Sequence, residues 1–181
     1  MTDTAFDHPM PWTESEYFAL GETTNRVELI DGCLLVSPHG GIAHQAIAAN
    51  LRDAFAVAAR VNGFRVDRTN LRLGPDRITD PDLVVDPGPV STRGATIVGE
   101  VLEDTSVLTD QVLKRTLYAA AGIPWYLLVE PSFPDYESVT VRLLRLAGDH
   151  YVKHLVAEHG QALTSDDPFP FEIRTEDLVG F

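Results

Sequence analysis

The segment Ala95-Thr-Ile-Val-Gly-Glu-Val-Leu102 constrains this chain more than any other. Its β-branched and aliphatic residues read as a buried central strand, and Glu100 stands among them with apolar neighbours on both sides. A carboxylate in that position is costly unless it is paired or bound to a metal ion. Whatever the fold, it has to bring a counter-group to Glu100.

The rest of the sequence supplies the frame. Thr13 and Glu16 form a capping-box signature with Trp12 and Tyr17 at staple positions, which predicts a first helix. VELIDGCLLV reads as a hairpin turning at Asp31-Gly32, and Ile42 to Val61 as a long amphipathic helix ending near Gly63. FRVDR, TNLRL, DLVVD and WYLLVE read as strands. VTVRLLRL and HYVKHLV form an edge hairpin across Ala-Gly-Asp. A second helix is expected from about Thr109 to Ala121, and FPFEI as a docking strand in a polar C-terminal tail. The expected architecture is an α/β (α+β) domain around one mixed sheet. With 181 residues, 44% of them hydrophobic, a single domain can build its own core. Its expected parts are an acidic N-terminal helix and extension at 1–25, a core at 26–156 and an acidic tail at 157–181. Cys33 is the single cysteine, so neither an internal disulfide nor a Cys/His zinc site is available. No apolar run is long enough to span a bilayer, and no signal peptide opens the chain, so a cytoplasmic location is expected.

Further residues point to the same place as Glu100. Asp82 heads the strand at 81–85; alone it reads as a strand-start aspartate, but next to Glu100 it makes two carboxylates on adjacent strands. Asp110, Lys114 and Tyr118 follow at steps of four, the spacing of one helical face. The chain holds 12 Arg and only two Lys, Lys114 and Lys153, so a lysine here is not its habitual cation. Glu28, at the start of the hairpin, and His44, near the start of the long helix, are further candidates. Read blandly, they are a solvated strand residue and a half-buried histidine. Paired carboxylates make a hard oxygen site suited to Mg²⁺ or Mn²⁺, which with a lysine can hydrolyse a phosphodiester.

The order ELIDG, helical histidine, PDLVV, VGEVLEDTS and DQVLKRTLYAAAGIPWYLLVEP resembles the Uma family. That family, long described as a domain of unknown function, is classed with the restriction endonucleases of the PD-(D/E)XK nuclease superfamily. The resemblance implies a restriction-endonuclease-like core, a central mixed β-sheet flanked by helices. It implies Asp82 and Glu100 as metal ligands, with the Val101 carbonyl as a further ligand and Glu28 as the acid completing the pocket. The superfamily lysine belongs two residues after the glutamate, where this chain has Leu102; the Uma-like pattern implies Lys114 instead. Glu103 also departs from the pattern, by adding a negative charge.

The net charge of −13 argues against a broad basic face for nucleic acid. Its distribution matters more. Residues 1–31 hold seven acids and one base, and 156–181 six acids and one base, which leaves the middle near neutral. Within it, Arg60, Arg65, Arg68, Arg72 and Arg77 face only Asp67 and Asp76, a stretch able to meet phosphates. The leading expectation is a Mg²⁺-dependent endonuclease acting on DNA, with His44, Asp110 and Tyr118 as substrate or supporting residues. A homodimer is expected through the hairpin at 137–156. Two alternatives stand: a catalytically silent nuclease-fold binding module, and a metal-dependent phosphoesterase on a small nucleotide-like substrate.

Overall fold

The computed structural model describes residues 10–88, 94–104 and 109–180, the side chains of 109–111 excepted. In chain order the elements are α1 (Glu14–Ala19), β1 (Arg26–Ile30), β2 (Cys33–Ser37), α2 (Ile42–Val61), β3 (Arg65–Asp67), β4 (Leu71–Gly74), β5 (Arg77–Thr79), β6 (Leu83–Asp86) and β7 (Ile97–Val101). A π-helical turn (Thr109–Lys114) then runs into α3 (Arg115–Ala120), followed by β8 (Trp125–Pro131), β9 (Val139–Ala147), β10 (His150–Ala157), β11 (Ala162–Ser165), β12 (Phe171–Arg174) and α4 (Thr175–Leu178). These elements pack as two compact units, one running through His39 and including Asn70–Asp80, the other Gly40–Thr69 with the chain from Pro81 onward.

In the first unit the capping box closes as its residues dictate. The Glu16 amide donates to Thr13 Oγ1 at 3.3 Å, and the Thr13 amide to Glu16 Oε2 at 2.9 Å. Trp12 and Tyr17 then pack with Leu29 and Ile78 in a small core. Asp31 and Gly32 both take positive φ, 50° and 76°, as a type I′ turn requires. The hairpin belongs to a four-stranded antiparallel sheet of its own, in the order β2-β1-β5-β4. Its strand β5 spans three residues, too few to show a period of two in the sequence.

The second unit carries the central mixed sheet, in the order β10-β9-β8-β7-β6-β3. Only β7 and β8 run parallel; the other pairs are antiparallel. Ile47, Leu51 and Phe55 of α2 pack in one core with Leu83, Val85, Ile97, Trp125, Leu127 and Val129 of the strands. Tyr126 alternates with Trp125 and Leu127 and so faces the other way. Its ring stands between those of Tyr118 on α3 (5.5 Å between centroids) and Tyr151 on β10 (5.6 Å). Gly99 sits opposite Leu83, where an added Cβ would come within 3.0 Å of that side chain, so the two strands mesh closely beside the residues that matter.

Two expectations need correction. The stretch at 109–121 is not one α-helix, because its first six described residues form a π turn, a device often found at functional sites. Asp110 falls in that turn, and its side chain lies outside the described residues. The C-terminal segment is also more than a polar tail. Strands β11 and β12 pair, and Phe169, Phe171, Ile173 and Leu178 enter the main core. Phe55 of α2 meets Phe171 at 4.8 Å and Phe169 at 6.4 Å between centroids. Phe55→Ala is therefore expected to cost about 3–5 kcal/mol in urea unfolding; a loss below about 1 kcal/mol would mean that the C-terminal segment does not pack there.

Candidate active site

The ends of β6 and β7 converge in the second unit. Leu83 pairs with Gly99 across the ladder, so Asp82 and Glu100 stand one step further along the two strands. Both are withdrawn from water, Asp82 at 3% and Glu100 at 0% exposure. Asp82 Oδ2 accepts the Val101 amide at 3.0 Å, which fixes the aspartate against the residue that follows Glu100. Its main-chain carbonyl accepts from Arg52 Nη1 at 2.9 Å.

Glu100 receives the counter-group that its burial demands. Lys114 Nζ donates to Glu100 Oε1 at 3.0 Å, and the Tyr118 hydroxyl donates to the same oxygen at 2.6 Å. Lys114 is itself 2% exposed. The ammonium thus reaches the strand from the following helical segment, although Leu102 occupies the place on the strand. The π turn ends at Lys114 and α3 begins at the next residue, so the two donors come from the junction and from one turn beyond it.

His44, in the first turn of α2, approaches the same strand end. Its Nε2 lies 3.0 Å from the Val101 carbonyl oxygen and 3.3 Å from Asp82 Oδ2. Burial opposes a charge on this ring, but hydrogen bonding to Asp82, the nearby charges of Asp82 and Glu103 and the Val101 carbonyl outweigh it and raise the pKa. Glu103 accepts the Gly41 amide at 3.2 Å. Gly41 is the N-cap of α2 and has no side chain to cap with, so the extra acid supplies the cap.

Asp82, Glu100, His44, Lys114 and Tyr118 are thus brought together. Glu28 belongs to the first unit, buried at 2% exposure, where it accepts the Asp80 amide at 2.8 Å and lies 3.9 Å from the Arg26 guanidinium. Among the described residues, no group of three or more His, Cys, Asp or Glu is gathered as a ready-made metal cluster. A Mg²⁺ site needs fewer, since that ion keeps several waters and takes one or two carboxylates. The donor set of Asp82, Glu100 and the Val101 carbonyl fits that demand, and these are the residues that could hold the ion.

The arginine-rich stretch is more neutral than its sequence implied. Arg65 pairs with Asp86 at 3.2 Å, Arg72 with Glu14 at 2.6 Å, and Arg77 with Asp31. Arg52, which the sequence did not single out, stands at the strand end instead. Burial and the neighbouring charge of Arg68 lower its pKa. One signal could have found it: Arg52 follows His44 by eight residues, two helical turns on the same face.

Comparison with known proteins gives the family and the fold. The Uma2 family, described as "Putative restriction endonuclease", matches residues 14–176. The chain belongs to that family. Its fold is that of a solved protein from Anabaena variabilis ATCC 29413, described as a "putative nuclease belonging to DUF820". The two superpose with a TM-score of 0.68 at 19% sequence identity, over 94% of this chain and 98% of the other. No curated protein matches the sequence significantly. Among the described residues, no helix is long and apolar enough to cross a membrane.

The buried pair makes a direct prediction. Lys114→Met leaves Glu100 without its cation and should destabilise the protein by about 3–5 kcal/mol in urea unfolding at neutral pH. Glu100→Gln combined with Lys114→Met should recover most of that loss. Equal losses in the single and double variants would mean that the charge pair is not what holds this region.

Proposed function

We propose that this protein is a metal-dependent endonuclease that hydrolyses phosphodiester bonds in DNA, with Asp82, Glu100 and Lys114 as its catalytic residues. The observation that carries the reading is the convergence of two buried carboxylates and a buried lysine at one strand end. Burying three ionisable side chains together is expensive for a purely structural purpose, because an apolar set of similar volume is often as stable or more so. Membership of a family described as restriction endonucleases supports the same reaction class.

In this reading Asp82 and Glu100, with the Val101 carbonyl, hold Mg²⁺ or Mn²⁺. When bound, the ion supplies charge neutralisation at the phosphate and lowers the pKa of water. Lys114 carries a compact positive charge that stabilises the anionic transition state, and it comes from the helical segment because Leu102 fills the strand position. Tyr118 orients Glu100 through its 2.6 Å hydrogen bond and limits the freedom of that carboxylate. The Val101 amide restrains Asp82 in the same way. Arg52 adds positive charge beside Asp82, with Arg68 close to Arg52, where a backbone phosphate would approach.

A second reading, a phosphoesterase acting on a small nucleotide-like substrate, draws support from the pairing of Arg65, Arg72 and Arg77 with carboxylates. One experiment separates the two. Purified protein is incubated with Mg²⁺ or Mn²⁺ and plasmid, linear, single-stranded or branched DNA, alongside a small phosphodiester. Cleavage of DNA is expected, with Asp82→Ala and Lys114→Ala each reducing the rate by about 100-fold or more. Turnover of the small ester alone would favour the second reading. Cleavage that survives in Lys114→Ala would remove that lysine from the mechanism, and no turnover of any substrate would overturn both.

A further inference from the structure

One feature of the strand end remains unexplained by two carboxylates and a lysine. His44 Nε2 stands 3.0 Å from the Val101 carbonyl and 3.3 Å from Asp82 Oδ2. A single nitrogen is therefore poised over two oxygen atoms of the proposed metal site. The ring is 3% exposed, and its other nitrogen, Nδ1, is buried with no hydrogen-bond partner. A buried polar atom left in that state is costly and calls for a reason.

We propose that His44 is itself a ligand of the divalent ion, supplying an imidazole nitrogen to a mixed nitrogen–oxygen site with Asp82 and the Val101 carbonyl, and that Glu103 is the positioning residue that accepts its Nδ1 proton. The inference rests on the metal-dependent reading above. Ligand atoms at adjacent corners of a six-coordinate shell with bonds near 2.1 Å lie about 3 Å apart, and the separations of Nε2 from the two oxygens are of that size. Without metal, Nε2 faces two acceptors and so carries the hydrogen. As a ligand it gives up that hydrogen, and the neutral ring then carries its proton on Nδ1. A metal-bound histidine normally donates its other N–H to a carboxylate or carbonyl.

Glu103 is placed for that task. A Cβ built on Gly40 would overlap the His44 ring at Nδ1 and come 2.9 Å from Glu103 Oε1. The glycine thus leaves open a small space that the imidazole edge and the Glu103 carboxylate share. Glu103 already caps the helix on which His44 sits, so a modest side-chain adjustment would meet the Nδ1–H. The acid that departs from the family pattern gains a role on this account. The site also acquires a preference: an imidazole donor shifts affinity away from Mg²⁺, which favours oxygen, towards transition metals such as Mn²⁺.

The test uses Mn²⁺ as the probe on the full chain. Electron spin-echo modulation of the bound ion reads ¹⁴N coupling directly, and calorimetry gives the Mn²⁺ and Mg²⁺ affinities. Wild type should show a strong ¹⁴N coupling that disappears in His44→Gln, with Mn²⁺ binding weakened about tenfold or more and Mg²⁺ binding much less affected. Glu103→Gln should keep the coupling and weaken Mn²⁺ several-fold. Mn²⁺ bound in an Asp82-dependent way, with no strong ¹⁴N coupling in wild type, would overturn the His44 assignment and leave the nuclease reading standing. The absence of any Asp82-dependent Mn²⁺ binding would overturn both. The wild-type spectrum decides the matter even if His44→Gln fails to fold.

Discussion

A single carboxylate sets the terms for this protein. Glu100 lies next to the last residue of β7, a strand buried along its whole length, and ionised carboxylates do not stay in such surroundings alone. The chain answers with Lys114 and the Tyr118 hydroxyl on one oxygen. Much of the local architecture follows from delivering those two groups. The π turn ends on Lys114, α3 carries Tyr118, and the Tyr118–Tyr126–Tyr151 stack fixes α3 against β8 and β10. The parallel pairing of β7 with β8 supplies the room, because a parallel crossover places a helical connection over the sheet.

The opposite approach to the strand end is made by α2. That helix contributes Ile47, Leu51 and Phe55 to the core and presents His44 and Arg52 two turns apart along its length. Core packing and site geometry are thus tied together, since the apolar face that anchors α2 also sets the reach of its two polar side chains. Glu103 and Gly40 adjust the first turn of the same helix: one supplies the missing cap, and the other leaves space for the imidazole.

The sequence made a good part of this legible. Glu100, Asp82 and Lys114 stood out because a charge inside an apolar run, or a lysine in an arginine-using chain, is a departure with a physical cost or a compositional signal. The bounds of α2 and the Asp31-Gly32 turn were readable because periodicity and positive-φ chemistry are local properties. Three things were not. The π turn cannot be seen in a spacing of four residues, which an α-helix explains equally well. Arg52 looked like any other arginine in a chain with twelve of them. The neutralisation of Arg65, Arg72 and Arg77 depends on partners such as Asp86, Glu14 and Asp31. Those pairings are long-range and leave no trace in local composition.

The ends of β6 and β7 are proposed to form a divalent-cation site. Crystals soaked in Mn²⁺ and measured for anomalous scattering test it most directly. A peak is expected within bonding distance of the Asp82 carboxylate and the Val101 carbonyl, lost in crystals of Asp82→Ala. A peak located elsewhere, or none at Mn²⁺ concentrations that saturate binding in solution, would contradict it.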